Sequence, residues 1–255
     1  MPLEMTAIPC LSDNYAYLLH DPATGRTAVV DVPDVAPIHD VLDTLGYKLT
    51  DIFITHHHED HIGGVPRLVE DTGATVWGAA ADAHRLPPLD HALVEGDRVD
   101  FGSEHALVID VPGHTIGHIA FHFPESGLAF TADSLMVLGC GRLFEGTPDQ
   151  MWASLCKLMA LPDDTLICSG HDYTGGNAAF AQHVDPDNPD LKARLAQIEV
   201  DRANKRPMAV VPLGLEKATN PFLRAGAPYL KHKHGRDGSS DSEMFAFLRS
   251  QKDTF

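Results

Sequence analysis

Residues 51–64 read DIFITHHHEDHIGG, so four histidines and two acids follow directly on an apolar, strand-like run. Imidazole nitrogens and carboxylate oxygens are the ligands that zinc, iron and manganese take at hydrolytic centres. The bland alternative is a solvated, histidine-rich turn. Spacing speaks for ligands. In extended backbone alternate side chains share a side, so His56 and His58 can reach one ion while His57 points away. Asp60 and His61 follow where the chain must turn toward a helix at 64–72, and a turn lets adjacent side chains face the same way. One short segment can thus serve two neighbouring ions. A helical reading, with His57 and His61 four apart on one face, lacks the HExxH pattern and meets Gly63 and Gly64.

Partners for this motif stand at the ends of other apolar runs. His114 follows ALVIDVPG, Asp133 follows GLAFTA and His171 follows DTLICSG. Loops at strand ends are where rigid scaffolds carry chemistry. Asp133 has two carboxylate oxygens and can bridge two ions. Asp31, ending TAVVD, reads either as a support for a ligand or as a turn residue. His118 and His122 fall in a strand and read as core or as neighbours of ligands. His20, His39, His84, His91, His105, His183, His232 and His234 have no such context and read as solvated. No GxSxG elbow and no glycine-rich phosphate loop is present.

The elements that must position these residues alternate through about residue 172. Strands are expected at MTAIPC, YAYLLH, TAVVDV, DIFIT, ATVWG, RVDFG, HALVIDVPG, HIAFHFP, GLAFTAD and DTLICSG. Helices are expected at DVAPIHDVLDTLG, GGVPRLVEDTG and PDQMWASLCKLMALP. Beyond 172, TGGNAAFAQHV, NPDLKARLAQIEVDRANK and DSEMFAFLRSQKDTF read as helices, and KHKHGRDGSSDS as an exposed loop. The division expected is a mixed α/β domain over 1–172 and a helical domain over 173–255.

Composition narrows the function. The 255 residues are 44% hydrophobic, enough for a sizeable core. A net charge of −17 opposes nucleic-acid binding and requires local cations for any anionic substrate. Four scattered cysteines without a CxxC pair indicate neither a disulfide scaffold nor a zinc finger. No run approaches the roughly 20 apolar residues of a membrane span, and the N-terminus lacks a signal-peptide pattern. A soluble, cytoplasmic monomer acting on a small molecule is the expectation.

Thr55-His56-His57-His58-Glu59-Asp60-His61, followed in order by His114, Asp133 and His171, resembles the THxHxDH signature of the metallo-β-lactamase superfamily. The resemblance implies a four-layer αββα sandwich with metal at one edge of the sheets. It also implies that His56, His58 and His114 hold one divalent ion, that Asp60, His61 and His171 hold another, and that Asp133 bridges. Zinc is the implied metal, with iron or manganese as alternatives, and Asp60 and Asp133 are the implied catalytic carboxylates.

PGHTIGH, GCGRLFEGT, SGHDYTGGN, NPFLR and RSQKDTF together look like glyoxalase II, the hydroxyacylglutathione hydrolases, essentially from end to end. That family hydrolyses the thioester S-D-lactoylglutathione in methylglyoxal detoxification. The resemblance carries glutathione contacts onto Arg142, Phe144, Tyr173, Arg249 and Lys252. Two of these depart from the pattern. Arg142 stands where a lysine is common and changes the hydrogen-bond geometry, and Phe144 stands where some members have tyrosine. Without the resemblance Arg249 and Lys252 read as cations at a solvated helix end. The rival activities are a persulfide dioxygenase with a single iron, a lactone hydrolase and a non-catalytic metal-binding module.

Overall fold

The computed structural model of the protein describes residues 2–204 and 206–255. The first half of the chain forms strands β1 (Glu4–Cys10), β2 (Asn14–His20), β3 (Thr27–Val30), β4 (Asp51–Phe53), β5 (Thr75–Ala79) and β6 (His91–Leu93), which lie in that order in one sheet. Between them run helices α1 (Val35–Leu45), α2 (Glu59–Ile62) and α3 (Val65–Thr72). The second sheet begins with β7 (Arg98–Phe101), β8 (Glu104–Asp110), β9 (Ile119–Phe123) and β10 (Leu128–Ala132). A small hairpin, β11 (Leu135–Met136) with β12 (Gly139–Cys140), and helix α4 (Pro148–Met159) precede β13 (Leu166–Ser169). After α5 (Thr174–Val184) and α6 (Pro189–Ala203), the strand β14 (Val210–Pro212) pairs with β13, giving the order β14-β13-β10-β9-β8-β7. Helices α7 (Leu213–Thr219), α8 (Pro228–Lys233) and α9 (Asp241–Thr254) complete the chain.

Strand periodicity explains the four layers. Val30 and Phe53 face the other sheet, meeting Phe101, Phe121, Phe123 and Phe130 in one core, while Val29 and Ile52 face outward onto Ile38, Leu42 and Leu68 of α1 and α3. On the second sheet Leu128 and Phe130 point inward, and Ala129 points out toward Met151 and Leu155 of α4 and Phe245 and Leu248 of α9. Because both faces are covered, such strands read as continuous apolar runs rather than alternating ones. Helix ends are fixed locally. Thr147 with Gln150 and Ser240 with Glu243 form capping boxes at α4 and α9, and Gly46 closes α1 in the left-handed conformation at φ 71°.

Some expectations change. The segment after 172 is not purely helical, because β14 extends the second sheet. Residues 231–233 belong to α8 and 241–242 to α9, so only the middle of KHKHGRDGSSDS is a loop. The chain after His58 turns as the single helical turn α2, which ends at Ile62 with Gly63 as its C-cap in right-handed backbone (φ −56°), and Gly63 and Gly64 separate it from α3. His20, His39, His105 and His234 are half-buried rather than solvated; the His20 ring lies 3.7 Å from Tyr47, centroid to centroid.

Candidate metal centre

Five strand ends converge at one edge of the two sheets. β3 leads to Asp31, β4 to the segment 55–61, β8 to His114, β10 to Asp133 and β13 to His171. The sheets are tied across this edge by the Tyr17 hydroxyl, which donates to Ser169 O at 2.6 Å, and by Tyr15 N–H, which reaches Gly170 O at 2.9 Å. Two of the ends enter left-handed backbone without a glycine, Asp31 at φ 57° and Ala132 at φ 40°. Such residues cost about 1–3 kcal/mol each and persist where their surroundings hold them. Gly170 is needed for a different reason. A side chain there would collide with Asp133 Oδ1, so the bare residue lets His171 and Asp133 approach.

The predicted ligands meet as two clusters. His56 Nε2 and His114 Nε2 stand 3.1 Å and 3.0 Å from His58 Nδ1. Beside them, His61 Nε2 and His171 Nε2 are 3.3 Å apart, and Asp60 Oδ2 is 3.3 Å from His171 Nε2. Asp133 lies between the clusters, its Oδ2 3.3 Å from His114 Nε2 and 3.4 Å from His171 Nε2. Its Oδ1 is buried without a hydrogen-bond partner among the described residues. Nitrogens about 2.1 Å from a tetrahedral ion would stand about 3.4 Å apart, so the converging atoms and the orphaned oxygen fit divalent metal.

Three of the rings are held from behind. A carboxylate or carbonyl only accepts, so His61 Nδ1–H donates to Asp31, His171 Nδ1–H to Asp13 and His114 Nδ1–H to the Arg142 carbonyl, each at 2.8 Å. This leaves Nε2 as the atom for an ion. Asp31 also accepts the Thr55 N–H at 2.9 Å and its hydroxyl at 2.8 Å, and that hydroxyl oxygen lies 3.0 Å from His56 Nδ1. Asn14 Nδ2–H holds Asp60 Oδ2 at 3.1 Å. Asp13 and Asn14 were invisible in the sequence, where LSDN reads only as a turn. His57 points out of the centre toward Asp82 Oδ2, 3.1 Å away. His118 is buried with its ring stacked on His56, centroids 4.6 Å apart.

Electrostatics divide the two clusters. Burial and the surrounding histidines push His56 well below its ordinary pKa, and burial with His114 and His57 takes His58 to about 4. These rings are neutral lone-pair donors. Burial opposes charge on His171, but Asp133, Asp60 and Asp13 outweigh it and raise the ring to about 11. The His171 hydrogen bond, ahead of other causes, holds Asp60 below the usual carboxylate range; His61, His171 and His114 do the same for Asp133 against its burial.

The centre opens into a cleft of about 950 Å³. Arg142, Phe144, Tyr173, Arg249 and Lys252 all line it, as does Arg202, which sequence reasoning missed. Phe144 sets its ring edge-on to His58 and His114, centroids 5.6 and 5.3 Å away. Tyr173 stacks on His171 at 4.7 Å. Arg249 is not a solvated helix end. It is only 6% exposed, donates to Cys140 O at 2.9 Å and to Asp253 at 3.0 Å, and its Nε–H has no acceptor among the described residues. Lys252 Nζ donates to Gly176 O at 2.9 Å.

The family model of the metallo-β-lactamase superfamily matches residues 15–171, and that of the hydroxyacylglutathione hydrolase C-terminus matches 172–255. A hydroxyacylglutathione hydrolase of Cereibacter sphaeroides is 60% identical over all of both chains. Among solved structures, ETHE1 from Myxococcus xanthus is 27% identical, with a TM-score of 0.68 over 98% of this chain and 90% of that one. TTHA1623 in a di-iron-bound form is 28% identical, with a TM-score of 0.61 over 86% of this chain and 100% of that one. The four-layer fold, the two ligand clusters and these matches over the whole length place the chain in the hydroxyacylglutathione hydrolase family of the metallo-β-lactamase superfamily.

Proposed function

We propose that this protein hydrolyses the thioester S-D-lactoylglutathione to D-lactate and glutathione at a centre for two divalent ions, zinc first, with iron and manganese suited to the same nitrogen and oxygen donors. The observation that carries the reading is one cleft holding two ligand clusters that share Asp133, with cations at its far wall. The name of the full-length relative supports the substrate, and the di-iron form of TTHA1623 supports two ions in this fold. The intact second cluster, Asp60, His61 and His171, and the cationic wall favour this reading over a single-iron dioxygenase or a lactone hydrolase. Every group comes from one chain, so the reading needs no partner subunit.

When bound, such ions supply Lewis acidity, bringing the pKa of water toward 7 and polarising a carbonyl oxygen. His56, His58 and His114 would hold one and Asp60, His61 and His171 the other. The Asp60 side chain faces the cleft, steadied by Asn14, and is placed to orient the attacking water. Phe144 and Tyr173 present their rings to the substrate beside His58, His114 and His171. Burial and Asp13 push the Tyr173 hydroxyl up to about 12, so it remains a hydrogen-bond donor at neutral pH. Arg142, Arg249 and Lys252 attract the carboxylates of glutathione. The thiolate leaves readily, so no residue is required as a strong general acid.

The purified protein should carry two metal equivalents and cleave S-D-lactoylglutathione faster than a simple lactone. Asp133→Ala should lower metal content and lower turnover by more than about 100-fold, beyond the usual effect of an outer-sphere partner. A variant with unchanged metal and rate would refute the shared-ligand role.

A further inference from the structure

Arg202 ends α6 at the rim of the cleft, and none of the expected substrate contacts includes it. Its guanidinium reaches across the first turn of α5. A methyl group built on Gly175 would stand 2.8 Å from Arg202 Nη2, and one built on Gly176 would stand 3.6 Å from Lys252 Nζ. Two successive bare residues therefore carry a cation each on the cleft side of one helical turn.

Among the described residues, the four cations of the cleft are not equally free. Asp253 is shared between Arg249, 3.0 Å away, and Arg142, 3.6 Å away. Lys252 is bonded to a carbonyl, which leaves its charge uncompensated. The carboxylate paired with Arg202 is Glu199, at 3.8 Å from Nη1, beyond hydrogen-bond length and exposed to solvent. Arg202 and Lys252 are thus the two positions at which a dianionic ligand gains most. Their depths differ, since Arg249 and Lys252 lie inside the cleft and Arg202 at its exposed rim.

Resting on the glutathione reading above, we propose that Arg202 binds the α-carboxylate of the γ-glutamyl end of the thiol carrier. Glutathione has two arms from its cysteine. The glycyl carboxylate is on the shorter arm and suits the inner Arg249–Lys252 wall; the γ-glutamyl carboxylate is on the longer arm and reaches the rim. That end also bears an ammonium group, for which Glu199 stands beside Arg202 as the counter-charge. The bare Gly175 leaves room for the guanidinium here, and a side chain at 175 would make that flexible tip shift.

The test compares wild type with Arg202→Ala on S-D-lactoylglutathione and on S-D-lactoyl-N-acetylcysteinylglycine, in which an acetyl group replaces the γ-glutamyl arm and keeps the cysteinyl nitrogen an amide. Glutathione and N-acetylcysteinylglycine binding are measured in parallel by calorimetry. Arg202→Ala should raise KM for the full thioester roughly fivefold, the scale of one exposed ion pair, and weaken glutathione binding to match, with kcat and melting temperature unchanged. Neither quantity should move for the truncated ligands. An equal loss on both ligands, or no loss on either, would overturn the assignment. A wild type that cleaves and binds the glutathione compounds while ignoring Arg202→Ala removes this proposal alone. A wild type that does neither removes the glutathione reading with it.

Discussion

One carboxylate, Asp31, orients two ligand rings at once. It accepts His61 Nδ1–H directly and steers His56 through the Thr55 hydroxyl. Metal centres depend on such outer partners by about 10- to 100-fold in affinity. Asp31→Ala should therefore lower metal affinity within that range while the fold, read by circular dichroism, stays intact. Competition against graded chelator concentrations measures it, and retention equal to wild type would show that the ring positions do not need the carboxylate. At this scale the sequence was informative about ligands and nearly silent about their supports. A histidine following an apolar run is visible in the chain itself. That Asp13 would reach His171, or that the Arg142 carbonyl would seat His114, depends on contacts 158 and 28 residues distant.

The loops that carry the centre brace one another through a second set of charges. Arg85, just beyond the short 3₁₀ turn at 80–82, pairs with both Asp82 and Glu145. Glu145 Oε2 accepts the Ile116 N–H at 2.8 Å, and His57 Nδ1–H donates to Asp82 at 3.1 Å. The loops after β4, β5, β8 and β12 thus meet around one guanidinium, and the last of them presents Arg142 and Phe144 to the cleft. This is the use of the middle histidine of HHH. Arg85, above other causes, depresses the Glu145 carboxyl to about 2. A carboxyl with a folded pKa below its unfolded value of about 4.3 adds stability at neutral pH and loses it as pH falls toward the folded value. Glu145→Gln should accordingly flatten the fall of melting temperature between about pH 4 and 2. It should also raise KM, because Arg142 and Phe144 lose an anchor. Parallel melting curves with an unchanged KM would sink the brace. Strands within apolar runs were legible as elements, three-residue β4 among them through DIFIT, whereas β6 and β14 exist through pairing with β5 and β13.

For the whole molecule, the question is whether the C-terminal third is an attachment or part of the fold. The two family matches divide at residues 171 and 172, but packing does not divide there. β14 hydrogen-bonds to β13 from Leu166 to Cys168, the strand that delivers His171. Met244, Phe245 and Leu248 of α9 are fully buried in the same core as Met151, Leu155 and Leu158 of α4. At about 1.5–3 kcal/mol for each buried side chain, those three α9 residues alone contribute roughly 5–9 kcal/mol, comparable with the 5–15 kcal/mol that separates a typical folded domain from its unfolded chain. The same helix holds Arg249 against Cys140 O, next to the loop that bears Arg142. One element therefore both lines the cleft, through Arg249 and Lys252, and carries stability. A chain ending at residue 240 should fail to form a cooperatively melting protein and should lose metal along with activity, whereas Arg249→Ala with Lys252→Ala should keep metal and a cooperative melt while raising KM. Thermal unfolding followed by calorimetry, with metal content on the same samples, distinguishes the two. A truncated chain that melts cooperatively near the wild-type temperature with full metal would show that the sandwich stands without α9.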